Sequence, residues 1–416
     1  MNKVIASTGL FVLGASGLQA QSYNAPSHNA ATDGKPWSIG AVVRGFYDDN
    51  TLNSNNNEIE SFGIEFGPKL GYDTSFNSGA SYLSATYDYR YRWFENDARD
   101  KDDQLHIFAV NLDHSLSENT ELTASNSFVI TSEPTILDEN VITAPLRREQ
   151  DAIRNNANLR LEQRFSETLF GGVHYSNRFY DYEDDIFSSL LDRMEHIVGV
   201  DGRKVLNNAT SAVVGYQYGI IDYSGGQIQR NFLAPIPADS RNQNSHYLFA
   251  GVDHSFNPNL FGSIRAGAQF VDYVNAVGGD TSTTSPYVDA NLTYNFADGS
   301  SVLGVRHARN ATDVSGNFAA PVLDQETTTI YGLLQYNITP LIVARVNGQA
   351  QFSDFNGGSL TNASEDLYVI GGSLGYQFSP NILGELGYSY TGLVNDDIAG
   401  REFERNIVYL GVTATY

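Results

Sequence analysis

The chain has 416 residues, of which 18% are charged and 12% are aromatic, and it contains 38 Gly, 25 Tyr and no Cys. Its formal net charge of −23 excludes nucleic acid as a partner, because binding to phosphates requires a basic surface. The enrichment in glycine and aromatic residues favours an all-β protein. The lack of cysteine excludes disulfide bonds and a cysteine-linked lipid anchor.

The first twenty residues are predicted to be a cleaved export signal. Lys3 supplies the positive start, and residues 4–18 form an apolar run that is too short to span a membrane. Cleavage after Ala20 would leave a mature chain that begins at Gln21, and cleavage after Gly17 is the alternative. Residues 21–36 are then a short periplasmic extension, and residues 37–416 form a single domain.

Beyond residue 36 the chain repeats one unit, which consists of two long alternating segments joined by a short turn and followed by a polar loop. In SFGIEFG, for example, Phe62, Ile64 and Phe66 alternate with smaller or polar residues, as expected for strands. Eight such hairpins, with a first strand at 37–47 and a last at 405–416, predict 18 strands, and 16 is the alternative count. The short turns lie near Asn77, Glu118, Glu167, Asn207, Pro258, Asp298, Pro340 and Pro380.

Internal repetition and strand length together predict a membrane barrel. Residues 105–122 (LHIFAVNLDHSLSENTEL) and 245–262 (SHYLFAGVDHSFNPNLFG) align as equivalent hairpins. Globular strands average about 5 or 6 residues, whereas a tilted strand that crosses an outer membrane needs about 9 to 11. A β-propeller needs four strands in the span that two strands and a loop fill here. We therefore expect an all-β, transmembrane, antiparallel up-and-down β-barrel, closed so that no backbone edge meets lipid.

The segment ATYDYRYRWFE predicts which face of each strand meets lipid. Its aromatic residues from Tyr87 to Trp93 alternate with Asp88, Arg90 and Arg92, so that the aromatic side would face lipid and the charged side an aqueous lumen. Apolar residues just before the short turns would form the periplasmic girdle. These are Tyr72, Leu116, Phe165, Phe256, Phe296 and Phe378.

The same alternation assigns the residues that line the pore. We expect Arg90, Arg92, Arg160, Arg164 and Arg178 to influence ion selectivity, although charge is also an ordinary property of water-filled barrels. Most of the acidic excess lies in loops instead. The full predicted set is Arg44, Lys69, Arg90, Arg92, Arg160, Arg164, Arg178, Arg265 and Arg345, with Glu65, Asp88, Glu121, Glu162, Asp289 and Glu385.

Two long loops, 131–152 and 224–243, carry apolar residues and are candidates to fold inward as a constriction. Surface adhesion is the alternative use for them. The residues expected to dock on the wall are Ile136, Val141, Ile142, Phe232, Leu233 and Ile236.

The C-terminal segment YLGVTATY resembles the terminal strand that the outer-membrane assembly machinery recognises, with Gly411 and the final Tyr416 as the signal residues. An ordinary closing strand is the alternative. More broadly, the export signal, the segment WSIGAVVRGFYDDNTLNS and the hairpin series over residues 37–416 resemble the β-barrel porins of Gram-negative bacteria, in particular the porin 2 group of Verrucomicrobia and relatives. The resemblance implies an outer-membrane channel and brings no catalytic residues.

No enzymatic or metal motif accompanies this pattern. Asp113-His114 and Asp253-His254 look like catalytic pairs, but they occupy equivalent places in the repeat, and duplication explains them better. An HExxH motif is missing from the sequence. The acidic clusters at 97–103 and 181–185 lack the spacing of an EF-hand calcium site. We expect them to bind divalent cations that bridge lipopolysaccharide, or to bind nothing specific.

We therefore expect an outer-membrane porin for passive diffusion of small polar solutes or ions, without enzymatic activity, cofactor or metal. Its other expected partners are outer-membrane lipid, lipopolysaccharide and the assembly machinery, and a homo-oligomer is left open. The alternative is a structural or adhesive barrel with a closed lumen and partner-binding extracellular loops. A TonB-coupled transporter is disfavoured, because residues 21–36 are too few for a plug domain and that class has about 22 strands.

Overall fold

A computed structural model describes residues 35–96, 102–131, 152–183, 188–189, 191–224, 227–228, 236–276, 281–314, 316–317, 320–395, 397–398 and 401–416. The predicted signal at 1–20 and its cleavage site lie outside the described residues, as does most of the extension at 21–36. Within these described ranges, no helix has the length and apolar character needed to cross a membrane.

The described residues form twenty-two strands, of which eighteen are long and four are two-residue strands in loops. In chain order they are β1 (Trp37–Asp48), β2 (Ser61–Phe76), β3 (Ser81–Phe94), β4 (Asp102–Ser117), β5 (Thr120–Thr131), β6 (Ala152–Arg164), β7 (Leu169–Tyr182), β8 (Arg193–Asn207), β9 (Thr210–Tyr223), β10 (Gln227–Ile228), β11 (Ile236–Pro237), β12 (Gln243–Asn257), β13 (Leu260–Tyr273), β14 (Ser282–Phe296), β15 (Gly299–Asn310), β16 (Gly316–Asn317), β17 (Ala320–Pro321), β18 (Asp324–Thr339), β19 (Ile342–Asn356), β20 (Ser364–Ser379), β21 (Ile382–Val394) and β22 (Phe403–Thr415).

The eighteen long strands form one closed antiparallel barrel. Each long strand pairs with the next long strand along the chain, and β1 also pairs with β22, in a register that runs from Gly40 opposite Thr415 to Asp48 opposite Ile407. Closure leaves the sheet without a free edge. The predicted class and the count of 18 strands are confirmed, and the alternative count of 16 is wrong.

All eight predicted short turns join consecutive strands at one end of the barrel, here called the short-turn end; the other is the long-loop end. Five of these turns share a β-bulge, which leaves one residue unpaired just before the turn. The next residue is Ser, Thr or Asn, and its side-chain oxygen accepts the N–H two positions later. The five bulged residues are apolar and exposed on the outer face: Leu116, Leu206, Phe256, Ile338 and Phe378.

Side chains alternate between the two faces of the barrel wall. On β2, Phe62 is 63% exposed on the outside, whereas Glu65 is 4% exposed on the inside. The outer face carries most of the exposed large apolar side chains, and the inner face carries most of the buried charged ones. The molecule therefore places apolar groups outside and polar groups inside, the reverse of a water-soluble sandwich.

Candidate functional site

The outer face is bounded at the long-loop end by polar side chains that pair across neighbouring strands. Tyr87 bonds His106 at 2.9 Å, and Tyr175 bonds His196 at 2.8 Å. In both cases the tyrosine is the seventh residue of a strand that runs from the short-turn end to the long-loop end. Its partner lies on the strand that follows the long loop. The other pairs are Asn126–Asn155, Tyr216–His246, His307–Thr328 and Tyr388–Asn406, and we call all six the outer polar belt.

The belt and the bulged residues define the height of the apolar zone between them. His106, His196 and His246 each lie ten positions before the bulged residue of the same strand. Ten residues at about 3.3 Å each, in a strand tilted by about 40°, rise roughly 25 Å, which is the height of the apolar band of outer-membrane barrels. The aromatic residues predicted for both rims, Tyr87 to Trp93 and the short-turn set, lie on this outer face.

The inner wall around Glu65 brings together five of the predicted pore-lining residues, Glu65 included. The Glu65 carboxylate accepts bonds from Arg90 at 2.9 Å, from Arg92 at 2.7 Å and from Arg44 at 3.2 Å. Arg90 is also held by Asp88 at 2.7 Å. Three arginines therefore converge on one carboxylate, and the local charge is less positive than the arginines alone would give.

The other predicted wall residues form separate pairs. Arg160 donates to Asp201 at 2.8 Å and to Glu162 at 3.2 Å, and Arg265 donates to Asp253 at 2.6 Å. Arg345 lies 3.6 Å from Glu385. Of the five arginines proposed as one selectivity cluster, Arg90 and Arg92 share Glu65. Arg160 and Arg178 bind other carboxylates, Asp201 and Glu195.

Three predicted wall residues lie at less enclosed positions. Lys69 is half-buried on the inner face, opposite Asp88 in register. Arg164 is exposed beside the short turn, where it donates to the Ser166 carbonyl at 3.3 Å. Glu121 is also exposed near that end.

A basic recess on the inner wall of β5–β8 was not predicted from the sequence. Arg154 and Arg178 line it together with Tyr180, and Glu195 bonds Arg178 at 3.4 Å and Arg193 at 2.8 Å. The Arg193 guanidinium stacks on Tyr180 at 4.0 Å. Strand alternation assigns Arg154 and Arg193 to the inner face, so this alternation is the signal that could have identified them. The long loops on either side of these strands made the alternation harder to recognise.

At the long-loop end, segments of several loops pack against the inner wall. Arg241 has no exposed surface; it donates to the Thr312 carbonyl at 2.8 Å and lies over the Tyr223 ring at 4.3 Å. We call the whole group the mouth cluster. It comprises Tyr223, Ala238, Arg241, Ala311, Thr312, Asp313, Val314, Val322, Phe355, Ala363, Ile398 and Arg401.

Asp313 places negative charge among the cations of the mouth cluster. Burial alone would lower the pKa of Arg401, but the carboxylates of Glu365 and Asp313 outweigh burial and the pKa is raised. Burial lowers the pKa of Arg241, and Asp313 opposes that shift. The residues predicted to dock from loops 131–152 and 224–243 lie outside the described residues, apart from the backbone of Ile236 in β11.

The two Asp-His sequences are not catalytic pairs. Asp113 and Asp253 lie on the inner face, whereas His114 and His254 lie on the outer face and bond Ser81 and Thr210. In the part of the chain that the structure describes, no group of three or more His, Asp or Glu is arranged to hold a metal ion. Most of the acidic stretch at 97–103 and part of that at 181–185 lie outside the described residues.

No family model matches the chain, and no curated protein matches it. Among solved structures, outer membrane protein OpdK of Pseudomonas aeruginosa is 11% identical with a TM-score of 0.43, and the match covers 91% of this chain and 99% of OpdK. OccK2 (OpdF) of the same organism, solved with glucuronate, is 11% identical with a TM-score of 0.43, at 91% and 98% coverage.

The siderophore receptor PirA of P. aeruginosa matches at 8% identity and a TM-score of 0.41, with coverage of 91% and 80%. OpdK, OccK2 and the siderophore receptor therefore match about equally well, and such low identities and TM-scores carry no substrate or mechanism to this chain. The resemblance to the porin 2 group stays a prediction.

Proposed function

We propose that the chain is a porin of the bacterial outer membrane, which forms a water-filled channel for passive diffusion of small polar solutes or ions. The observation that carries the proposal is the pairing of an apolar outer face with a charged inner face around a closed sheet. The short turns would face the periplasm and the long loops the exterior. Eighteen strands enclose more space than wall side chains alone can fill, so water occupies the remainder.

The charged groups of the wall would govern what passes. The predicted pore-lining set supplies ion pairs such as Arg44–Glu65, and the basic recess adds Arg154 and the pairs that Arg178 and Arg193 form with Glu195. Both signs are present, which suits polar solutes that carry donors and acceptors as well as charge. In the mouth cluster Arg401 is paired with Glu365 at 2.8 Å, so charges of both signs are also present where a solute would enter from outside.

The structural or adhesive barrel is the second candidate, and the mouth cluster is the observation that favours it. Val322 is fully buried, and it packs with Val314, Phe355 and Ala363 at the long-loop end. Apolar packing of this kind would obstruct the entrance if it filled the cross-section. Extracellular loops would then bind a partner while the lumen stayed closed.

Single-channel recording in planar bilayers separates the two candidates. A porin gives steady current steps after insertion of the purified, detergent-solubilised chain, and a closed barrel gives none. Reversal potentials in a salt gradient then report the sign of ion preference. A chain that stays soluble without detergent after purification would overturn the membrane assignment itself.

Export and insertion complete the proposal. The apolar stretch at 4–18 would direct the chain through the inner membrane, with cleavage after Ala20 or Gly17. The terminal strand, with Gly411 and Tyr416, would then be read by the assembly machinery. Mass spectrometry of the mature N-terminus tests the first step, and a mature chain that retains residues 1–17 would contradict it.

A further inference from the structure

The inner face of β19 carries three uncharged amides in a line, which we call the amide column: Asn347, Gln349 and Gln351. They alternate with outward-facing residues such as Val346 and Phe352. Inward residues of a strand are about 6.6 Å apart, so the column extends over about 13 Å of the wall. It begins just above Arg345 and rises towards the mouth cluster, to which Phe355 of the same strand belongs.

The strands on either side of the amide column are neutral at the same level. Strand register places Asn347 between Leu333 on β18 and Gly371 on β20. The next two rows across these strands are Tyr331–Gln349–Val369 and Thr329–Gln351–Leu367. None of these side chains is charged, whereas the wall around Glu65 and the basic recess are built from ion pairs.

These neighbours leave polar atoms of the column without a partner. Among the residues that the structure describes, the amide nitrogens of Asn347 and Gln349 donate to no acceptor, and the amide oxygen of Gln351 receives no donor. The Gln351 amide nitrogen is used, since it donates to Ser353 at 3.0 Å. Unsatisfied amides are unfavourable in a protein wall, so free donors and a free acceptor are available to whatever occupies the lumen beside them.

The flanks of the column supply apolar surface next to these hydrogen-bonding groups. The Tyr331 ring lies over Gly304, where a Cβ atom would come within 2.2 Å of the ring. Leu333 and Val369 add aliphatic surface on β18 and β20. A few polar groups set among apolar and aromatic side chains are typical of sites that bind small organic molecules. Carbon rings that bear hydroxyl groups match such a surface, because they have both apolar faces and polar edges.

We propose that the amide column is a binding track for neutral saccharides inside the channel. The inference rests on the proposed porin function and names a class of solute for it. Sugar hydroxyls both donate and accept, so they can satisfy the free N–H groups of Asn347 and Gln349 and the free carbonyl oxygen of Gln351. A small ion gains less from uncharged amides than from the charged groups elsewhere on the wall. Three successive weak sites bind a moving solute without trapping it.

Ion current through single channels tests the track. Maltotriose is added to both sides of a planar bilayer in KCl, and we expect a saturable fall in conductance as the sugar occupies the lumen. Polyethylene glycol of the same hydrated size is the control, because its ether oxygens accept hydrogen bonds but do not donate them. An equal response to both probes, or no response to maltotriose in a conducting channel, overturns the proposal.

Variants locate the effect on β19. The double variant Asn347→Ala, Gln349→Ala removes two donors and is expected to raise the half-saturating maltotriose concentration by about tenfold or more. Asn158→Ala is the matched control, since Asn158 is a half-buried inner-face amide on β6, nine strands away, and already donates to Ser125. An unchanged value in the double variant, or an equal change in the control, overturns the assignment. If the double variant does not fold, Gln349→Leu removes one donor and should still raise the value about threefold or more.

Calorimetric titration with maltotriose provides a readout that does not depend on current. The chain is kept in an amine-oxide detergent, because a detergent with a sugar headgroup would compete for the track. We expect saturable binding that weakens in the double variant and persists in Asn158→Ala. Binding without any channel current would contradict the porin function and support the track, whereas current without binding would do the reverse.

Discussion

Arg44 on β1 crosses directly over Gly411 on β22, at the seam where the barrel closes. A Cβ atom at Gly411 would lie 2.3 Å from Arg44 Cγ and 2.9 Å from the Val43 carbonyl oxygen. Beyond the glycine, the Arg44 guanidinium reaches Glu385 on β21 at 3.3 Å, and on its other side it reaches Glu65 on β2 at 3.2 Å. One side chain therefore links three strands across the seam, and the absence of a side chain at position 411 permits the crossing.

Replacing Gly411 is expected to weaken the seam. The substitution Gly411→Val forces Arg44 away from Glu385, and overpacking of this kind costs about 1–3 kcal/mol of folding free energy. The measurement is the temperature at which the folded barrel, run unboiled in SDS gels, converts to the unfolded band. Gly45→Val is the matched control, because a Cβ there meets nothing within 4 Å. Equal losses of thermal stability in both variants would show that the crossing of Arg44 over position 411 does not explain the effect.

Neutralising Glu65 is expected to move ion selectivity towards anions. Glu65→Gln leaves Arg44, Arg90 and Arg92 without their shared carboxylate. In water, one unit charge about 7 Å from a passing ion contributes about 0.6 kcal/mol, with opposite sign for a cation and an anion, so the anion-to-cation permeability ratio should rise roughly sevenfold. Reversal potentials in a KCl gradient measure the change. Glu118→Gln, in a short turn, is the control, and an unchanged ratio in Glu65→Gln would argue against a role for this wall.

Loosening the mouth cluster is expected to increase current. Arg241→Ala removes the bond to the Thr312 carbonyl and the contact with the Tyr223 ring. A hydrogen bond from a charged donor contributes about 1.5–3 kcal/mol, so the equilibrium ratio of packed to unpacked mouth should fall by about tenfold or more. Mean single-channel conductance reports the result, with Arg164→Ala near the opposite end as the control. A conductance equal to that of the natural chain would show that this packing does not limit flow.

The final residue offers a test of the predicted insertion signal. Tyr416 is 71% exposed, and its ring lies near Lys35 and Trp37. If the assembly machinery reads it, deletion of Tyr416 lowers the amount of heat-modifiable protein in the outer membrane, and Tyr416→Phe restores it. Phe256→Ala, which removes another exposed aromatic residue of the short-turn rim, serves as the control. Normal insertion of the chain without Tyr416 would show that this residue is not an insertion signal and serves only in the aromatic girdle.

Sequence predicted the barrel well because its strongest signals are local. Alternation along β2 and the repeated turns near Glu118 and Pro258 depend on neighbours within a few residues, and the bulge with its side-chain-bonded turn explains why those segments repeat. The pairing of each arginine could not be predicted in the same way. Glu385 is 341 residues from Arg44 in the chain, and only the closed register brings them together.

The packing partners within the mouth cluster could not be predicted either, for a related reason. Val314 lies in a loop that the sequence did not single out, and its partners Phe355 and Ala363 belong to other elements. Hydrophobic residues in a loop indicate docking without indicating where. The opposite faces of Asp113 and His114, in contrast, follow directly from the two-residue period of a strand.

The convergence of loops at the mouth also has a consequence for biogenesis. Val314, Ala363 and Ile398 come from the connections that follow β15, β19 and β21, so their packing needs late parts of the chain to be in place. Contacts between distant segments form slowly, because the intervening chain must first be ordered. The mouth cluster would consequently assemble only after β15, β19 and β21 are in place, which makes it one of the last parts of the molecule to form.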